Sequence, residues 1–399
     1  MTMAWQRKNL GDLCEVVAGQ SPEGKFYNSD GKGMPFYQGK KDFGEKFIQA
    51  PTSWTTETTK VAREGDILMS VRAPVGPINF ATDEICIGRG LAAIRTKGEL
   101  DRDFLFYQLL HLQPAIAGKE GAVFASINKS EIGALPIAFA PLPEQHRIVA
   151  ILDQAFAGIA TAKANAEKNL QNARALFESH LQSVFTLRGE GWVEKTVGEL
   201  VVEGALVKPF DGNHGEIHPR KEDYVESGVP FIMACDLQNG DVDTETCKFI
   251  PRKLADSLRV GFAKDGDVLI SHKGTIGRSA IVNTNLDYIM LTPQVTSYRV
   301  KDGSRLLNRF IRYYFMSPIF QHEMIAGAAD GSTRAYIGIT KQLSLRFRFP
   351  LLAEQKRIVS KLDVLAPETQ RLESLYQQKL AALDDLKKSL LHQAFSGAL

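Results

Sequence analysis

Glu144-Gln145-His146-Arg147-Ile148-Val149 is written twice in this chain, returning as Glu354-Gln355-Lys356-Arg357-Ile358-Val359. Each copy follows a proline, Pro143 or Pro350, and opens a long segment free of glycine-rich turns, the first running to about Thr186 and the second to about Ser396. The segments also close alike: Ser179-His180-Leu181-Gln182-Ser183-Val184-Phe185 answers Ser389-Leu390-Leu391-His392-Gln393-Ala394-Phe395. Self-similarity at so long a period marks two copies of one plan.

Both segments are expected to be helices. Leu362, Leu365, Thr369, Leu372, Tyr376, Lys379, Leu383, Leu386 and Leu390 alternate steps of three and four, the spacing of a coiled-coil seam. The matching line in the first segment is Leu152, Ala155, Ile159, Ala162, Ala166, Asn169, Ala173 and Leu176. One seam is large and the other small, so the two helices are expected to pair closely. Asn169 and Lys379 are expected as polar seam positions that fix register. Pro367 is expected to break or kink its helix, because proline lacks the N–H that the ladder needs.

Outside the helices, two blocks match weakly but in order. Leu10-Gly11-Asp12-Leu13 answers Val197-Gly198-Glu199-Leu200, and Pro35-Phe36 answers Pro230-Phe231. Gly65-Asp66-Ile67-Leu68-Met69-Ser70 answers Gly266-Asp267-Val268-Leu269-Ile270-Ser271. These apolar runs after a glycine turn are expected to be buried strands, as are 91–95 and 295–300. Residues 104–111 and 307–315 are expected to be short amphipathic helices. Each block then reaches a glycine-rich stretch, at 117–122 and 326–331. The expected fold class is therefore α+β: two similar mixed α/β domains separated by two long, paired, antiparallel helices. Trp192 follows the first helix, and Trp5 would follow the second if the chain closed into a ring. That gives a cyclic, pseudo-two-fold plan of four segments, 1–143, 144–186, 187–353 and 354–399.

At 399 residues there is room for about two or three domains. The net charge of +2 neither demands nor excludes nucleic acid. Cys14, Cys86, Cys235 and Cys247 form no Cys-x-x-Cys pair, which points to reduced thiols in the cytoplasm rather than a zinc site. The N-terminal residues lack the apolar core of a signal peptide, and no apolar run approaches the length of a bilayer span.

The catalytic motifs fail on their own chemistry. Gly19-Gln20-Ser21-Pro22-Glu23-Gly24-Lys25-Phe26 lacks the hydroxyl that a phosphate-binding loop offers to Mg²⁺. Gly88-Arg89-Gly90 leads into an expected strand, not into the helix that would hold a pyrophosphate. His214-Gly215-Glu216-Ile217-His218 is broken by glycine and proline neighbours and has no completing ligand pair, so a polar loop is expected and no metal. There is no Pro-Pro and no Pro-Asp dipeptide, so the usual adenine-methyltransferase loop and the commonest nuclease signature are both missing.

On the residues 141–153 with their repeat, the Gly65–Ser70 run with its repeat, and the closing Leu391-His392-Gln393-Ala394-Phe395-Ser396-Gly397, the chain resembles the specificity subunit of a type I restriction-modification enzyme. The resemblance covers the whole length. It implies that each block is a target recognition domain for one half of a bipartite duplex DNA site. The helices would set the spacing of the halves and dock two methyltransferase subunits. It implies no catalysis and no cofactor in this chain. S-adenosylmethionine would belong to the methyltransferase, and ATP with Mg²⁺ to restriction (motor-nuclease) subunits. The competing class is a two-headed protein scaffold without DNA specificity.

Basic and amide residues in glycine-rich loops are the candidates for DNA contact, since Arg and Lys can reach guanine and Gln can pair with adenine. They are Lys25, Gln38, Lys40, Lys41, Arg72 and Arg89 in the first block, and Lys208, Arg220, Lys221, His272, Lys273, Arg278, Gln294 and Arg334 in the second. Arg72 and Lys273 stand out because they follow the matched strand in both blocks. Glu144, Gln145, Arg147, Glu354, Gln355 and Arg357 are the candidates for docking between helix and partner. A first-turn acid suits the positive end of a helix, but that does not explain a whole repeated hexad.

Overall fold

The computed structural model describes residues 5–117, 126–186, 191–214, 218–328 and 336–399. The chain forms two compact units. Residues 1–167 with 377–399 make the first and residues 168–376 the second, so each long helix contributes to both. The helices are Leu142–Thr186 and Leu352–Ser396, 45 residues each. The second continues without a break through Pro367, contrary to one of the two outcomes expected there.

Each unit is built around the same antiparallel ladder. In the first, strands run in the order Cys14–Ala18, Leu91–Thr96, Ile67–Ser70, Ile78–Phe80. In the second, Phe210–Asp211, Val295–Tyr298, Val268–Ser271 and Ser279–Ile281 repeat that order, and two short strands extend the sheet. Leu91 faces Ser70 and Val295 faces Ser271, so the two ladders share a register. The matched strands are apolar on both faces and fully buried, as a run without alternation requires.

The repeated Gly-Asp before these strands has a structural cause. Gly65 and Gly266 take positive φ, at 82° and 80°, where a side chain would be strained. The aspartates then close the turn: Arg63 N donates to Asp66 at 2.8 Å, and Lys264 N to Asp267 at 2.9 Å. Each buried carboxylate also takes a fork of two hydrogen bonds from the neighbouring strand, Arg95 on Asp66 at 2.9 and 2.7 Å and Arg299 on Asp267 at 2.7 and 2.7 Å. A bidentate pair of this kind fixes both position and orientation.

A helix packs on each sheet, Arg102–Ile116 in the first unit and Asn308–Met316 in the second. Within unit 1 the core then takes in both long helices, with Ile148 and Leu152 from one and Leu391 and Ala394 from the other. Phe395 meets Phe104 edge-on at 5.3 Å, and Trp5 packs on the same Phe104 at 5.9 Å. Unit 2 repeats the cluster, with Phe185 against Phe310 at 5.5 Å and Trp192 against Phe310 at 6.1 Å. The chain's two ends therefore meet in unit 1 as the middle of the chain does in unit 2, which is the cyclic plan expected.

The helix pair is antiparallel within each unit. Lys387 lies over the Phe156 ring and Lys163 pairs with Asp384 in unit 1, and Arg174 pairs with Glu373 at 2.9 Å in unit 2. The polar seam positions are corrected: Asn169 and Lys379 are both exposed. Leu152, Ile159, Ala166 and Ala173 are buried at strict seven-residue spacing, but the second line rolls from Ala155 and Ala162 to Leu170 and Phe177. In the other helix Leu380 and Lys387 likewise turn inward in place of Lys379 and Leu386. A helix of 3.6 residues per turn drifts against a 3.5-residue seam, so a line extrapolated over many turns leaves the interface.

Candidate nucleic-acid interface

The repeated hexad explains itself first. Gln145 and Gln355 are both 0% exposed. Gln145 Oε1 accepts from Asp101 N at 2.8 Å, and its amide donates to Glu99 O at 2.9 Å and Ala140 O at 2.7 Å. Gln355 does the same in unit 2, accepting from Leu307 N at 3.0 Å and donating to Arg305 O at 2.8 Å and Pro350 O at 2.9 Å. Each glutamine clamps the first turn of a long helix to the backbone that starts the shorter helix. Neither is available to a partner, so their assignment to docking is corrected. Tyr107 hydrogen-bonded to Asp153, and Tyr313 to Asp363 at 2.8 Å, add a second tie two turns further along.

Glu144 and Arg147, like Glu354 and Arg357, remain on the surface as bidentate pairs three residues apart. The arginine hydrogen bonds hold both glutamate carboxyls below their ordinary range. Arg147 also donates to the Leu399 backbone carbonyl at 2.9 Å, which ties the C-terminal residue to unit 1.

Arg72 and Lys273 occupy one position of the plan. Each forms an isolated antiparallel bridge to the residue where the described chain resumes after the glycine-rich stretch, Arg72 with Ser126 and Lys273 with Tyr336. Ile127 N then donates to Val71 O at 3.0 Å, and Ile337 N to His272 O at 3.1 Å. The returning segment is thereby stitched alongside the matched strand in both units.

In unit 1 this geometry gathers charge. Arg72, Arg89 and Lys129 line one cleft of about 190 Å³, floored by Ala18, Leu91 and Ala92. Gln38 is brought over the same turn. A β-carbon on Gly90 would lie 2.3 Å from the Gln38 carbonyl oxygen, so Gly88-Arg89-Gly90 is a turn that lets another backbone approach. Lys40 and Lys41 are exposed in a one-turn 3₁₀ helix that follows Gln38. Lys25 lies apart, paired with Glu23 at 2.6 Å and resting on its neighbour Phe26.

In unit 2 Lys273 and Gln294 are exposed just beyond the ends of adjacent strands, joined by the His272 N–H to Gln294 carbonyl bond at 2.9 Å. Arg278 is exposed on the far side of the same hairpin, its backbone N–H held by Ser271 Oγ at 3.0 Å. His272 itself is corrected: it is 0% exposed and cannot touch DNA in this conformation. Burial pulls its pKa down to about 4, with the nearby Asp211 carboxylate opposing that shift. Lys208, Arg220 and Lys221 are exposed, Lys208 lining a cleft with Gly198, Val202 and Leu343, and Arg220 and Lys221 at the one-turn 3₁₀ helix Lys221–Asp223. Arg334 lies outside the described residues. Among those described, no three histidine, cysteine or acidic side chains converge as metal ligands, and no helix is long and apolar enough to cross a membrane.

Lys129 and Tyr336 were not among the sequence candidates. Both lie just beyond the glycine-rich stretches, and aligning Ser126-Ile127-Asn128-Lys129 with Tyr336-Ile337-Gly338-Ile339 is the signal that finds them.

The type I restriction modification DNA specificity domain matches this chain twice, over residues 3–171 and 190–381. The chain belongs to that family. The two matches bracket the two ladders and the two basic positions. Among relatives of this specificity family, the putative type I restriction enzyme MjaX specificity subunit of Methanocaldococcus jannaschii is 42% identical over 148 residues, 36% of this chain and 35% of that protein. The type I restriction enzyme EcoBI specificity subunit of Escherichia coli is 18% identical over 418 residues, 99% of this chain and 86% of that protein. The HsdS subunit from Thermoanaerobacter tengcongensis shares the fold with a TM-score of 0.59 at 19% identity, covering 99% of this chain and 97% of that one. A chain from a structure of type I R-M complex assembly and conformational transition shares it with a TM-score of 0.79 at 20% identity, over 100% of both chains.

Proposed function

We propose that this chain is the DNA sequence-specificity subunit of a type I restriction-modification complex, each unit taking one half of a bipartite duplex target. The observation that carries this reading is the shared ladder with a basic residue at one position and different chemistry around it. Arg72 stands beside Arg89 and Lys129, whereas Lys273 stands beside Pro293 and Ile339 at the matching positions. A common scaffold supports the phosphate-facing charge, and the varied surroundings supply two different base preferences. Catalysis belongs to the partners. Two methyltransferase subunits would bring S-adenosylmethionine and flip one adenine in each half-site. Restriction subunits would bring ATP and Mg²⁺, and the assembly would work in the cytoplasm. The near-neutral charge of +2 leaves much of the phosphate attraction to those partners. The long helices would set the gap between half-sites.

Exchange of residues 1–143 for the equivalent domain of another family member tests the reading in the assembled methyltransferase. One half of the methylated motif should change and the other should stay. A change in both halves would contradict independent heads, and salt-insensitive binding of protein partners without any DNA preference would favour the scaffold reading.

A further inference from the structure

Beneath Lys273, unit 2 carries a polar network where unit 1 is apolar. By position in the shared ladder, Asp211, His272 and Thr296 replace Ala18, Val71 and Ala92, and Gln342 replaces Ile132. Thr296, His272 and Gln342 are completely buried. The Gln342 amide donates to Ile337 O and to Thr296 Oγ1, both at 3.0 Å, while its oxygen accepts from Tyr298 Oη at 2.8 Å. A carbonyl only accepts, so the Ile337 bond fixes which way the amide faces. The Thr296 hydroxyl, which accepts from Gln342, is also hydrogen-bonded to His272 Nδ1 at 2.7 Å. Among the described residues His272 Nε2 has no hydrogen-bond partner, and it lies 3.7 Å from Asp211 Oδ2. Burying polar groups is tolerable where they hydrogen-bond to one another, as most of these do, and the network also holds a neighbouring element.

What it holds is the returning segment. Gln342 grips the Ile337 carbonyl, and the His272 ring supports the Tyr336 ring at a centroid distance of 5.5 Å. Tyr336 is 37% exposed, and the Lys273 ammonium sits 5.8 Å from its ring centroid. The next element yields space to the same ring. A β-carbon on Gly338 would lie 3.2 Å from Tyr336 Oη, and Gly338 gives the following short helix no side-chain cap. The matching residue in unit 1 is Asn128, which caps its helix in a full capping box beside the small Ser126. Unit 2 thus forgoes a cap and buries a polar network, and both concessions seat one partly exposed tyrosine beside a lysine. A rigid aromatic loses little freedom on binding, and its ring offers an apolar face with a polar tip.

Building on the DNA-specificity reading, we propose that Tyr336 is a specificity-determining residue of the second unit, lying against the bases of its half-site while Lys273 meets the adjoining phosphate. Asp211, His272, Thr296 and Gln342 are positioning residues for that contact. At the matching position unit 1 has the small Ser126, so among the described residues the arrangement belongs to one half-site.

The test uses the chain assembled with its methyltransferase partners. Binding is measured by fluorescence anisotropy on duplexes carrying the methylated motif, with each base position of each half varied in turn. Y336A should bind the motif at least 10-fold more weakly and lose base preference in one half alone. Y336F, which keeps the ring, should recover most of the affinity. K273A should weaken all sequences alike and lower the salt slope by about one. G338N supplies an independent arm, because it restores a cap while crowding Tyr336. Its melting temperature should rise while discrimination in the same half falls. Unchanged affinity and preference in Y336A, or a stabilised G338N with undiminished discrimination, would overturn the inference while leaving the specificity reading intact. A wild-type complex with no target preference would overturn both.

Discussion

Replacing Gln145 by leucine tests the clamp that the repeated hexad builds. Leucine nearly fills the volume but offers no polar atom, so the Asp101 N–H and the Glu99 and Ala140 carbonyls lose their partner together. A buried backbone group left unpaired costs about 1–3 kcal/mol. Water will reach some of the vacated site, so a loss of about 3–5 kcal/mol is expected, toward the lower part of the combined range. The loss should be local. Hydrogen exchange read by mass spectrometry should show amides of 99–116 and 136–152 exchanging about 100-fold faster or more, since each 1.4 kcal/mol is a factor of ten in an opening equilibrium. Amides of 305–316 and 346–362, held by Gln355, should keep their protection. Q355L should give the reverse pattern. Unchanged exchange in Q145L, together with lost methyltransferase binding, would refute the clamp and return Gln145 to a docking role.

Three further outcomes are expected. Asp267→Asn should lower stability by about 2 kcal/mol in urea unfolding, because a buried carboxylate forked by Arg299 loses its charge while Arg299, itself partly exposed, keeps some solvent. His272 has a folded pKa of about 4 against an ordinary 6.5, so the unfolded chain takes up its proton first as pH falls. Stability is then intact above about pH 6.5 and declines toward pH 4, by about 2 kcal/mol at pH 5, and H272V should show a correspondingly flatter dependence of melting temperature on pH. Inserting four residues near Ala166 lengthens the helix by roughly 6 Å, and modification sequencing should find a longer gap between unchanged half-sites.

The parts of the fold that were legible in the sequence are those where one residue type has one physical use. Gly65 and Gly266 need positive φ, the runs after them are apolar on both faces, and the hexads open long helices, so the two-copy plan is visible in the sequence alone. Polar residues with two uses were harder. Gln145 and Gln355 look like surface amides in a sequence, and only the fold shows the three backbone groups that each satisfies. His272 sits between a buried serine and an exposed lysine, and its burial depends on Thr296 and Gln342, which come from distant parts of the chain. Asn169 and Lys379 sit outside the seam because of a geometric drift too small to notice over one heptad and decisive beyond two. Tyr336 was passed over because its meaning comes from its bridge to Lys273, which no local pattern announces.

The central claim is that this chain selects a bipartite DNA target through two unlike heads. It is tested most directly by base-modification sequencing of DNA from cells expressing the chain with its methyltransferase, against cells lacking the chain. The account predicts a split motif with one methylated adenine in each half, present only when the chain is present. No chain-dependent methylation, with a methyltransferase shown to bind the chain, would contradict it.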